Sequence, residues 1–100
     1  MIRAASFIAA ALAAFAVTPA MAQSPYYAAS PSGEIKKASI ITRNTLWKCS
    51  EGTCTAAKSN DRPSVMCELV VQRVGALQSF SAGGTAFDAE ALARCNARAR

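Results

Sequence analysis

Four cysteines, Cys49, Cys54, Cys67 and Cys95, are the side chains whose types and spacing carry the clearest chemistry in this 100-residue sequence. Thiolates at these positions would have two uses, metal ligation or oxidation to disulfides. Zinc is held by paired Cys-x-x-Cys knuckles that bring two thiolates onto one ion, and the gaps here are four, twelve and twenty-seven residues. A Cys-x-x-Cys redox pair is missing as well, which removes the signature of a thioredoxin-like oxidoreductase. Disulfides are left. Cys49 and Cys54 bracket Ser50-Glu51-Gly52-Thr53, a turn that sets the two sulfurs opposite one another on a hairpin. Cys67 then pairs with Cys95. Loop entropy assigns roughly 2 kcal/mol to the short ring and roughly 3.5 kcal/mol to the long one. The crossed pairings score as well on entropy, so turn geometry makes the choice.

The chain has no histidine. Ser-His and Cys-His nucleophile pairs, an imidazole base and imidazole metal ligands are therefore excluded. The remaining acid–base candidates are Glu51, Asp61, Glu68, Asp88 and Glu90, each of which also reads as a turn, cap or solvated helix residue. A hydrolase would use Glu68 with one of the others. Among basic residues, Arg43, Lys48 and Lys58 align as a strip if the hairpin pairs as expected, with Trp47 beside Lys48. Trp47 reads first as the core aromatic beneath the disulfide. Were it exposed, it would offer a polysaccharide or membrane-surface contact. Further basic residues, such as Lys36, Lys37, Arg62 and Arg73, are spread along the chain without interleaved aromatics, which speaks against nucleic acid.

The elements that must position these groups begin after an export signal. Residues 1–22 combine Arg3, an apolar run from Ala4 to Val17, and a small-residue site at Ala20-Met21-Ala22, with the cut expected before Gln23. About 14 apolar residues rising 1.5 Å each make roughly 21 Å, short of a hydrocarbon core of roughly 30 Å. The product is expected in the periplasm or outside the cell, without a stable membrane anchor. The mature chain would keep about 78 residues, ten of them basic against six acids, a formal charge near +4. Like charge then argues against an inhibitor of basic, lysozyme-type enzymes.

Residues 23–37, with Pro25, Pro31 and Gly33, read as a flexible N-terminal lead, and the Tyr26-Tyr27 pair as incidental. The domain is expected over residues 38–98. Residues 38–49 are β-branched and include Trp47, so they read as one strand, with a bulge near Arg43 or Asn44 to explain its broken alternation. A second strand over 53–58 would put Ala56 opposite Trp47 and Lys58 opposite Thr45. Asn60 or Asp61 caps a helix that has Pro63 in its first turn and stops at Gly75. A strand over 77–82 turns at Gly83-Gly84, and Thr85 to Asp88 reads as a capping box for a last helix bearing Cys95. The fold class is α+β, a small disulfide-stapled domain ordered β-hairpin, helix, strand, helix. Its expected core is Ile41, Leu46, Trp47, Met66, Leu69, Val70, Val74, Leu77, Phe80, Phe87 and Leu92.

From about Ser39 to Ala97 the order Thr45-x-Trp47-Lys48-Cys49, Gly52-x-Cys54, Arg62-Pro63, Cys67-Glu68-Leu69, Val74-Gly75, Ser79-Phe80, Gly83-Gly84 and Leu92-Ala93-x-Cys95-Asn96 resembles a group of short, exported, four-cysteine proteins of alphaproteobacteria. That group has no assigned activity, so the resemblance implies domain limits and no chemistry. The functional expectation is a non-catalytic binding or interaction module of the bacterial envelope, without cofactor, facing an envelope protein or an anionic envelope surface. The alternative is a small envelope hydrolase working through carboxylates.

Overall fold

A computed structural model describes residues 25–100 of the chain. The expected export signal at residues 1–22 lies outside them. Eight elements follow in order: β1 (Tyr27–Pro31), β2 (Ser39–Thr42), β3 (Thr45–Ser50), β4 (Thr53–Ala56), α1 (Pro63–Val74), β5 (Leu77–Ala82), β6 (Thr85–Ala86) and α2 (Ala89–Asn96). The strands form one six-stranded sheet in the order β2-β3-β4-β1-β5-β6, and every neighbouring pair is antiparallel. The α+β class stands, with more strands than the sequence suggested.

The largest correction concerns residues 23–37. Tyr27–Pro31 is not a loose lead but the strand β1, hydrogen-bonded between β4 and β5 near the middle of the sheet. Its side chains alternate at period two: Tyr27, Ala29 and Pro31 are buried, while Ala28 and Ser30 are half-buried on the other face. Pro31 is accommodated because it closes the strand, where the register with β5 shifts. Tyr27 is a central core residue. Its hydroxyl accepts from the Ser59 N–H at 3.3 Å and donates to the Asp61 carbonyl at 3.4 Å, satisfying a polar atom carried inward by the ring.

The second correction concerns residues 38–49, which hold two strands instead of one bulged strand. Arg43-Asn44 is a two-residue turn, with Arg43 at φ 53°, and Thr42 pairs with Thr45. The same device recurs at Glu51-Gly52 (φ 51° and 80°) and at Gly83-Gly84 (φ 59° and 85°). Positive φ at the turn residues matches the twist of tight hairpins. At Gly83 the glycine has a second reason: an added Cβ would lie 2.7 Å from the Tyr26 hydroxyl oxygen. The Arg43-Asn44 reversal also decides which side chains face inward. Ile40, Thr42, Trp47 and Cys49 point to the core, whereas the cross-strand partners Ile41 and Leu46 stand on the open face, 54% and 49% exposed. The sequence places both in the core, and the structure corrects this.

Among the described residues, helices cover one face of the sheet. Helix α1 packs on β1, β2 and β5, and α2 packs on α1 and β5. Trp47, Tyr27, Phe80, Met66, Val70 and Val71 are fully buried between the layers, each contributing roughly 1.5–3 kcal/mol by leaving water. The aromatic rings run in series, Trp47 to Tyr27 at 5.8 Å, Tyr27 to Phe80 at 6.2 Å and Phe80 to Phe87 at 4.8 Å between centroids. Leu69, Val74, Phe87 and Leu92 are half-buried around this centre.

Helix α1 begins with Pro63 at its first position, where a missing N–H costs nothing, and ends where Gly75 takes φ 88°. Neither Asn60 nor Asp61 caps it: the N-cap is Arg62, with no side-chain bond to the helix. Asp61 is occupied elsewhere, by Arg43. In α2 the cap is Asp88 itself, whose Oδ1 accepts from the Ala91 N–H at 2.8 Å. Thr85, expected to cap, lies in β6 instead. The Asn96 side chain fastens the other end of α2 to the sheet edge. Its Oδ1 accepts from the Leu77 N–H and its Nδ2 donates to the Leu77 carbonyl, both at 2.9 Å, as a neighbouring strand would.

Candidate functional site

The disulfides are Cys49–Cys54, within the β3–β4 hairpin, and Cys67–Cys95, between α1 and α2. These are the pairs that turn geometry selects from the sequence. Cys49 and Cys54 are cross-strand partners with Cα atoms 3.9 Å apart, and Trp47 lies opposite Ala56 one pair further on that face. All four sulfurs are engaged, so no thiol is free as nucleophile or ligand. Among the described residues no helix is long and apolar enough to cross a membrane.

The basic strip expected along the hairpin does not form. Strand β4 stops at Ala56, so Lys58 leaves the sheet before reaching Thr45, whose partner is Thr42. Arg43 and Lys58 do meet, across a cleft of ≈ 400 Å³ between the β2–β3 turn and the loop leading to α1. Its walls are polar: the Arg43 guanidinium is 3.2 Å from the Asp61 carboxylate, with Asn44, Ser59 and Asn60 alongside. Arg43 is more than half exposed, so this ion pair contributes well under 1 kcal/mol. The Lys58 ammonium lies 5.6 Å from the Tyr26 ring centroid, a cation–π contact at the surface. Lys48 is on the opposite side of β3, exposed on the open face between Ser39 and Thr55. Trp47 is fully buried and its Nε1–H donates to Thr42 Oγ1 at 2.9 Å, which rules out the exposed-contact reading.

A second cleft, of ≈ 370 Å³, opens beside the edge strand β2, at the C-terminal end of α1. Four cationic side chains line it, Lys36, Lys37, Arg73 and Arg100, against one acidic side chain, Glu34, over an apolar floor that includes Ile40 and Val74. Arg73 is held in place by its Nη2–H, which donates to the Ile41 carbonyl on the outer edge of β2 at 2.9 Å. None of the four cations has an ion-pair partner among the described residues. This cluster was missed in the sequence because its members are dispersed at positions 36, 37, 73 and 100. The adjacent Lys36-Lys37 pair was its one local signal.

The candidate carboxylates are dispersed among structural tasks. Asp61 pairs with Arg43, Glu90 lies 3.8 Å from Arg94 one turn on, and Glu68 lies 3.9 Å from Arg98. Asp88 caps α2, and Glu51 occupies a hairpin turn at positive φ. Glu68 also borders a third cleft of ≈ 310 Å³, lined by Phe87 and Arg94 among others, with no second carboxylate on its wall.

A twice-stapled α+β domain with one helix-covered sheet face and a cationic edge is the class that these features define. Within that class, the chain belongs to the Family of unknown function (DUF8200), whose sequence model matches residues 10–97. No curated protein and no solved structure matches it.

Proposed function

We propose that the protein is an exported, non-catalytic binding module of the bacterial envelope whose partner is anionic. The observation that carries this reading is the convergence of Lys36, Lys37, Arg73 and Arg100 on one cleft, four cationic side chains without ion-pair partners among the described residues, against a single acidic side chain. Like charges converge at a cost in the free protein, which an anionic partner would remove. Export is supported by the apolar run that ends at a small-residue cleavage site. The family match begins at residue 10, so the later part of that run lies within the matched region. Two disulfides in so small a domain fit an oxidising compartment.

Intact mass of the protein purified from the envelope fraction, under native and then denaturing conditions and with and without reductant, tests the reading. The expected chain starts at Gln23, gains about four hydrogens on reduction, and sheds its partner's mass on denaturation. A chain that still starts at Met1 and carries free thiols would overturn it.

A further inference from the structure

The edge of the sheet at β2 brings together features that a soluble small-molecule site does not need. Ile41 and Leu46 are the large hydrophobic side chains left exposed among the described residues, and they are cross-strand partners, so they form one apolar patch and not two isolated ones. Ser39, two residues before Ile41, pairs with Lys48, which puts an ammonium on the same open face beside the patch. Around the edge of β2 lie Lys36, Lys37 and Arg73, and Arg73 touches the backbone of Ile41 itself. Apolar side chains flanked by cations are the pattern of a protein that lies on an anionic bilayer. The apolar groups enter the headgroup region while the cations meet lipid phosphates.

From this arrangement we infer that the β2 edge docks on the surface of a membrane rich in anionic phospholipid, with Ile41 and Leu46 as the inserted pair and Lys36, Lys37, Lys48 and Arg73 as the electrostatic contacts. The inference rests on the reading of the protein as an exported binding module and names its partner. Charge complementarity selects a lipid surface: Lys48 flanks the apolar pair on the open face and Lys36, Lys37 and Arg73 follow the adjoining edge, so that several phosphates of one plane are needed to meet them, while a single free phosphate would engage the cleft alone. Edge pairing with a second copy is opposed by the same cations, which would meet their own kind.

Co-sedimentation of the oxidised protein with phosphatidylcholine vesicles, and with vesicles containing about one-third phosphatidylglycerol, tests this directly. Binding is expected only to the anionic vesicles, and it is expected to vanish as salt is raised to about 1 M. Replacing both lysines, Lys36→Gln with Lys37→Gln, should weaken it roughly 25-fold, about fivefold for each charge removed. The exposed pair changed as Ile41→Ser with Leu46→Ser should weaken it about tenfold at unchanged melting temperature. Equal binding to neutral vesicles, no binding to anionic ones, or full competition by glycerol phosphate would overturn the inference. If any of these occurs while the envelope-purified chain starts at Gln23 with both disulfides, the membrane partner is wrong and the export reading stands. A chain that keeps Met1 and free thiols removes both.

Discussion

The hairpin bridge Cys49–Cys54 and the helix bridge Cys67–Cys95 span 5 and 28 residues of chain, and they act on regions with opposite needs. The β3–β4 hairpin is already closed by its Glu51-Gly52 turn, by four cross-strand pairs and by Trp47 packed over Ala56. Its disulfide reinforces contacts that would form without it. Helix α2 is different. Its eight residues are too few for stability on their own, and Cys95 is its one buried side chain. It is attached to the domain by the Cys67–Cys95 bond, the Asn96 amide on Leu77 and the half-buried Leu92, with Phe87 packed just ahead of its cap. A bridge therefore matters most where local signals and buried area supply least.

Breaking the long bridge is expected to have the largest effect. Cys67→Ser with Cys95→Ser should lower the stability by about 3.5 kcal/mol in denaturant unfolding, with α2 lost from the far-ultraviolet circular dichroism. The short bridge comes next: Cys49→Ser with Cys54→Ser should cost about 2 kcal/mol and leave the helical signal intact. Asn96→Ala removes both partners of the Leu77 backbone and should cost about 1.5 kcal/mol, read as an earlier melt of α2 relative to the sheet. Inversion of the first two effects would mean that the hairpin, and not the helix pair, is the weaker region.

The sequence shows those parts of the fold whose signals are local. The Glu51-Gly52 and Gly83-Gly84 turns, Pro63 at a helix start, Gly75 at its end and the Cys49–Cys54 bracket each sit within a few neighbours of the structure they specify, and β4, α1, β5 and α2 follow from them. Strand β1 escaped because Tyr-Ala-Ala-Ser-Pro is poor in β-branched residues. Its place is set by β4 and β5, which lie some 25 and 50 residues downstream. The Arg43-Asn44 turn escaped for a related reason: without glycine it resembles a fault in one strand, and in one continuous strand Ile41 falls on the face of Trp47, whereas the reversal turns it to the open face beside Leu46. The same resemblance hid the exposed apolar pair. The cationic cleft is a product of topology, since only the folded sheet brings Lys36 and Lys37 beside Arg73.

Peptide-resolved hydrogen exchange on the Cys67→Ser, Cys95→Ser protein tests the uneven reliance on the two bridges most directly. Amides of α2, over Ala89–Asn96, are expected to exchange at nearly the rate of an unstructured peptide while those of β3 and β4 remain protected. Retained protection across α2, or equal loss in α2 and the hairpin, would contradict it.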